Sequence, residues 1–308
     1  ISVCLVEKGA EVGSHILSGA VIDPVALSEL IPDWKEKGAP LNTKVTKDIF
    51  NLFSKKRNLK IPHWLMPPIM SNKQNYIVSL GDLCVWLSKE AENLGIEIYP
   101  GFTAQEPIFN DKQELVGILT GDMGRDSDGN ETVNYAAGIE IRAKYSLIAE
   151  GTRGSITKII EKKLSLRKNS DPQKYGLGFK EVWRLDKNKH HPGLVEHSLG
   201  WPLENDTGGG SFTYHYGEDL VSLGFVVHLD YSNPYLSPFD EFQSFKTHPK
   251  IKNLLTGAKR ISYGARTINE GGIQSWPELA FPGGVLIGCS AGMVNVPRIK
   301  GTHNAMKS

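Results

Sequence analysis

The chain has 308 residues, and 35 Lys and Arg against 34 Asp and Glu leave a formal net charge of +1. Hydrophobic residues make up 40 % and charged residues 22 %, globular proportions that exclude global disorder, and the charge balance gives no footprint for nucleic acid. Three distant cysteines (Cys4, Cys84, Cys289) exclude a disulfide scaffold and a four-cysteine metal site within the chain, and no apolar run approaches the roughly 18 residues of a spanning helix. Glycine is in excess, 32 of 308 residues against an average of about 7 %. Such an excess points to tight turns and to backbone pressed close to a ligand.

Residues 1–7 read as a buried parallel strand, a short apolar run ending in an acid. A segment rich in Gly and Ser follows, over 8–20. Asp23 as N-cap and Pro24 in the first helical position predict a short helix over 24–30. The strongest helix is predicted over 80–94, where Leu80, Leu83, Cys84, Leu87, Ala91 and Leu94 fall on one stripe and Gly95 follows as a stop. Strands are expected at 96–99 and 115–120, a hairpin turn at Asp128-Gly129, a strand at 145–149 and a helix over 155–163. Between 176 and 230 the character changes, and alternating runs such as 178–183 and 220–227 predict an antiparallel sheet. Residues 239–248 read as helix, 285–288 as a final buried strand, and 301–308 as a helix just begun. Domains rarely open inside a central strand and close inside a helix, so the chain is expected to be an internal stretch of a longer protein.

Several groups of residues could carry chemistry. Glu7 ends a strand of parallel type, where dinucleotide-binding folds place an acid on the adenosine ribose; an ordinary strand-end acid is the plainer reading. Gly288-Cys289-Ser290-Ala291-Gly292 matches the elbow of serine hydrolases, but no Asp or Glu follows Glu278 and Pro297 interrupts the helix an elbow needs. The same residues suit a turn whose bare backbone lies against a cofactor, with Gly301 and Thr302 at a helix start, or a plain glycine-rich turn. Asp122 to Asn130 lacks the register of a calcium loop, the nine histidines show no metal spacing, and His190-His191 reads as a solvated turn. Lys55, Lys56, Arg57 and Lys60 adjoin Trp64, Leu65, Met66 and Ile69 in a proline-rich loop. That loop is either a wedge for an anionic membrane surface or a segment packed on its own domain.

Residues 3–8, 17–20, 32–42, 75–78, 149–151, 200–203, 229–239 and 299–303 together form long, ordered strings, and over essentially the whole chain they resemble the electron-transfer flavoprotein:ubiquinone oxidoreductase family. The resemblance implies a mixed α/β fold: a Rossmann-type, glutathione-reductase-like FAD-binding domain with an inserted antiparallel-sheet domain for quinone. It divides the chain into an incomplete FAD-binding part at 1–48, 72–166 and 261–308, and a quinone-binding, membrane-docking part at 49–71 and 167–260. FAD would lie against Glu7, Ser18, Gly19, Gly151, Gly288, Cys289, Gly292, Gly301 and Thr302. Gly209 and Gly210 would line the ubiquinone headgroup, and Trp64, Leu65 and Met66 would meet the membrane. The implied partners are electron-transfer flavoprotein as donor, ubiquinone as acceptor and the surface of an inner membrane. A 4Fe-4S cluster and the FAD phosphate loop would lie outside the chain, and no metal ligands are expected within it.

Two positions depart from the family pattern. Gly208 stands where an aromatic usually precedes the paired glycines, and Cys289 stands where related flavin motifs commonly have Asp. The second departure implies that backbone, not a carboxylate, meets the ribityl and phosphate region. A soluble FAD-dependent monooxygenase of the same fold and a non-catalytic lipid-surface module remain competing readings.

Overall fold

A computed structural model of the chain describes residues 1–16 and 19–308. Ser18, an expected cofactor neighbour, lies outside the described residues. Seven strands form the largest sheet, in the spatial order Lys259–Asn269, Tyr175–Arg184, Leu220–His228, Gly209–Tyr216, Leu194–Gly200, Lys47–Phe53 and Asn58–Ile61. Its neighbours run antiparallel except Leu194–Gly200 and Lys47–Phe53, which are parallel. The alternation over 176–230 thus marks an antiparallel sheet, as expected. The strands at 47–61 and 259–269, read as loop or left unassigned, extend it on both sides.

Because side chains alternate across a strand, the sheet has two different faces. One packs Val182, Val195, Tyr214 and Tyr216 against Val21, Val45 and Ile77. The other packs Leu223, Phe225 and Val227 against Phe242, Phe245 and Ile251 of helices Pro238–Thr247 and Pro249–Leu255. Both helices start on a side-chain cap followed by proline: Ser237 accepts the Asp240 N–H, and His248 accepts the Lys250 N–H.

The remaining elements are short. Cys4–Glu7 pairs in parallel with Glu97–Pro100, and Ser146–Ile148 in parallel with Gly284–Leu286. The opening strand is therefore parallel but not buried: Val3 and Leu5 are exposed, because its sheet has two strands among the described residues. Helix Leu80–Asn93 starts where Ser79 accepts the Asp82 N–H and ends before Gly95, whose φ is +82°. Leu94 falls past the helix end and is exposed, which shortens the expected stripe. At 190–191 the expectation of a solvated turn is corrected for one residue: His190 is buried, with Nε2 3.1 Å from the Leu220 carbonyl oxygen. Among the described residues no helix is long and apolar enough to cross a membrane.

Candidate functional site

The parallel strands Ser146–Ile148 and Gly284–Leu286 end side by side, and the turns that follow them meet. After the first, Glu150 folds forward to cap helix Ser155–Lys163. Its carboxylate accepts the N–H groups of Ser155, Ile156 and Thr157 and the Thr157 hydroxyl at 2.7 to 3.3 Å, which also places an anion at the positive helix end. Gly151 has φ +83°, and the space a Cβ would fill there is open. Its N–H donates to Ser290 Oγ at 3.1 Å and ties the loop to the second turn. That bond gives the buried Ser290 hydroxyl a structural role, and the strand is followed by a single 3-10 turn, not by the helix of a hydrolase elbow.

Gly288 and Gly292 adopt φ +53° and +81° in that second turn. The Gly288 N–H donates to Ser308 Oγ at 3.0 Å, and Asn304 Nδ2 donates to the Met293 carbonyl at 2.8 Å, docking helix Thr302–Lys307 onto the turn. A Cβ on Gly301 would lie 3.9 Å from Cys289 Sγ, and burial pushes the Cys289 thiol up, so it stays protonated. The fold thus gathers Gly151, Gly288, Cys289, Gly292, Gly301 and Thr302. Glu7 and Gly19 make contacts of their own. Glu7 accepts the Gly9 N–H at 2.5 Å, while Gly19 presses on Ser222 and its carbonyl accepts Lys180 Nζ at 2.9 Å.

Three residues that no local pattern singled out border this group. Gln173 Nε2, Asn269 Oδ1 and His303 Nδ1 are buried without a hydrogen-bond partner, a costly state unless a ligand supplies one. A Cβ on Gly292 would lie 2.7 Å from Gln173 Nε2 and 3.7 Å from Asn269 Nδ2. A flavin ring edge carries both donors and acceptors, so orphaned amides beside bare backbone fit FAD. Beside them opens a cleft of about 200 Å³ bordered by Thr152, Arg153, Lys158, Tyr175 and Ser290. No group of three potential metal ligands occurs among the described residues.

The paired glycines lie on opposite faces of the large sheet. Gly210 pairs with Val226, and a Cβ there would sit 2.8 Å from the Ser198 carbonyl oxygen and 3.1 Å from Leu199 Cδ2. Gly209 has φ +150°, and its Cβ would strike the Val226 carbonyl oxygen and come within 2.6 Å of Leu203 Cδ1. Glycine is thus required at both positions by the sheet itself. Next to Gly210 begins an apolar row: Leu199 pairs with Leu52, and Leu52 with Leu59, at 46 %, 46 % and 63 % exposure. The row runs to the edge strand Asn58–Ile61. Beyond it come two 3-10 turns, His63–Leu65 and Pro68–Met70, carrying Trp64 at 81 % exposure, exposed Leu65 and Ile69, and half-buried Met66. Lys55, Lys56, Arg57 and Lys60 are exposed beside them.

A family model described as ETF-QO, ubiquinone-binding matches residues 175–268, nearly the span of the five strands from Tyr175 to Asn269 in the large sheet together with their covering helices. Electron transfer flavoprotein-ubiquinone oxidoreductase of Pseudomonas aeruginosa is 55 % identical over 310 residues, covering 100 % of this chain and 56 % of that protein. The chain resembles electron transfer flavoprotein-ubiquinone oxidoreductase along its whole length. The mitochondrial human enzyme of that name is 54 % identical over 311 residues, covering 100 % of this chain and 50 % of its own length. The chain therefore spans about half the length of the oxidoreductases it matches. Among solved structures, a geranylgeranyl bacteriochlorophyll reductase-like protein of Thermoplasma acidophilum aligns with TM-score 0.71 at 16 % identity, over 99 % of this chain and 69 % of that one. The flavin-dependent halogenase CmlS aligns with TM-score 0.66 at 15 % identity, over 99 % of this chain and 52 % of its own. At such identities the likeness shows the fold, the mixed α/β fold of flavoenzymes.

Proposed function

We propose that this stretch forms the flavin and quinone sides of a membrane-associated oxidoreductase that passes electrons from reduced electron-transfer flavoprotein to ubiquinone. The observation that carries the reading is the apolar row that starts at Gly210 and leads across the sheet to an exposed, basic-flanked apolar loop. A headgroup at the inner end of that row and an isoprenoid tail along it match the shape and polarity of a quinone arriving from a lipid surface. FAD, when bound, supplies the capacity to accept electrons and release them singly or in pairs. Gly151 leaves its approach unobstructed, Gln173, Asn269 and His303 hydrogen-bond it, Gly288, Cys289, Gly292, Gly301 and Thr302 border it, and Glu7 attends its ribose, with Ser18 and Gly19 as the further expected contacts. Backbone at Gly209 and Gly210 borders the quinone headgroup. Trp64, Leu65 and Met66 enter the membrane interface while the neighbouring cations meet anionic lipid.

In this reading the FAD-binding part comprises 1–48, 72–166 and 261–308 and the quinone part 49–71 and 167–260, with the large sheet shared across their boundary. The protein sits peripherally on the mitochondrial inner membrane or a bacterial cytoplasmic membrane, and its 4Fe-4S cluster is carried outside these residues. The test is the full-length protein given reduced electron-transfer flavoprotein and a short-tailed ubiquinone. Quinone-dependent reoxidation of the donor supports the reading. Oxygen consumption driven by a nicotinamide, without quinone reduction, overturns it in favour of a monooxygenase.

A further inference from the structure

His228 lies two residues beyond Val226 on the same strand and therefore on the face that carries the apolar row. Opposite it in register stands Gly176, and the Glu270 side chain lies across that bare backbone, where any Cβ would collide with its carboxylate. His228 Nε2 is 3.4 Å from Glu270 Oε2. The carboxylate is buried, its side chain 7 % exposed, while the imidazole is 38 % exposed and opens to solvent. The imidazole also borders the glycine loop: a Cβ on Gly208 would strike His228 Nδ1, and the His228 N–H donates to the Gly208 carbonyl at 3.0 Å. One ring thus touches water, a buried carboxylate and the start of the proposed headgroup site.

We propose that Glu270 and His228 form the proton supply for quinone reduction, with His228 recharging Glu270 from solvent. This inference rests on the quinone reading. Reduction of a quinone to a quinol takes two electrons, which the reduced flavin provides, and two protons, one for each carbonyl oxygen. The pair delivers these one at a time and is reprotonated from water between transfers. Burial pushes the Glu270 carboxyl up to about 7, with Asp230 adding to the shift, and burial pushes the His228 imidazole down. The 3.4 Å contact places the two groups within reach of one shared proton. Other charges facing the pair are Lys174 and Asp230, joined to each other at 3.2 Å, and Arg266 on the neighbouring strand, whose guanidinium is held by the His15 carbonyl.

The experiment uses the full-length enzyme. Its infrared spectrum should show a protonated carboxyl band that titrates near neutrality and disappears in Glu270→Gln. Reoxidation of the pre-reduced enzyme by ubiquinone with one isoprene unit should slow about tenfold or more in Glu270→Gln, with the wild-type fall in rate toward alkaline pH flattened and with Glu270→Asp restoring most of the rate. His228→Gln should slow reoxidation less at low pH than at high pH. Reoxidation of Glu270→Gln within about twofold of wild type and with an unchanged pH profile overturns the proton supply. A wild-type enzyme that ubiquinone cannot reoxidise overturns the quinone reading instead, and the infrared titration of the pair would then stand unchanged.

Discussion

Leu52 and Leu199 face each other across the one parallel pairing of the large sheet, and each is 46 % exposed. Two leucines in register on a sheet face ordinarily close against a helix or a second layer, and this pair adjoins both Leu59 and Gly210. If a quinone tail covers them, replacing Leu199 with Asn should raise the apparent KM for a long-tailed ubiquinone about tenfold, the scale of one leucine side chain losing its apolar cover. The KM for a quinone without a tail should barely change. Equal effects on both quinones would show that Leu199 acts on the headgroup or on folding, not on the tail.

The paired glycines separate by the same logic. Gly209→Ala places a Cβ against the Val226 carbonyl at a φ of +150°, whereas Gly210→Ala meets the Ser198 carbonyl oxygen at 2.8 Å and a flexible leucine end. Overpacking and backbone strain of this kind cost about 1–3 kcal/mol. Gly209→Ala should therefore lower the melting temperature more than Gly210→Ala, and Gly210→Ala, on the face of the apolar row, should change quinone kinetics more. Thermal unfolding and quinone titrations of the two variants check both halves of this expectation.

How much of this the sequence discloses depends on the range of the interaction. Helix Ser155–Lys163 and the central strands carry their periodicity in adjacent residues and are readable directly. Lys47–Phe53 is not, because its pairing with Leu194–Gly200 joins segments about 150 residues apart and no turn links them. The glycines of the turns after the two parallel strands were visible as motifs, whereas Gln173 and Asn269 acquire meaning only when folding buries their amides without partners beside Gly292. Chain-wide strings, not single motifs, made the family resemblance legible. The division of Gly209 and Gly210 between two faces required the register.

Acid should destabilise the protein through two buried histidines. His197 donates or accepts at the Tyr214 hydroxyl at 2.8 Å, and His215 Nδ1 accepts the His191 N–H at 3.2 Å. Burial pushes both imidazoles down to about 3. The unfolded chain takes up these protons as pH falls through about 6.5, while the folded chain refuses them until about 3, so stability is lost progressively across that window. Each group contributes a slope of about 1.4 kcal/mol per pH unit. Urea unfolding between pH 6 and pH 4 should show the slope reduced by about that amount in His197→Gln, which keeps a hydrogen bond for Tyr214 but cannot titrate. An unchanged slope would mean that His197 is protonated in the folded state.

The loop beyond the apolar row provides the last test. Trp64 and Leu65 are 81 % and 57 % exposed beside Lys55, Lys56, Arg57 and Lys60, all exposed, which suits a membrane interface. Each cation near anionic lipid is worth about 1 kcal/mol, and that share weakens as salt screens it. The apolar share does not depend on screening. Replacing Trp64 and Leu65 with Ser in the full-length protein should lower binding to anionic vesicles by about tenfold or more at low and high salt alike. Replacing the four cations with Ala should lower binding strongly at low salt and little at high salt. Both sets should slow reduction of a long-tailed quinone presented in vesicles and leave reduction of a soluble one unchanged, because they act on delivery and not on the headgroup. Binding unaffected by either set would place the docking surface elsewhere on the protein.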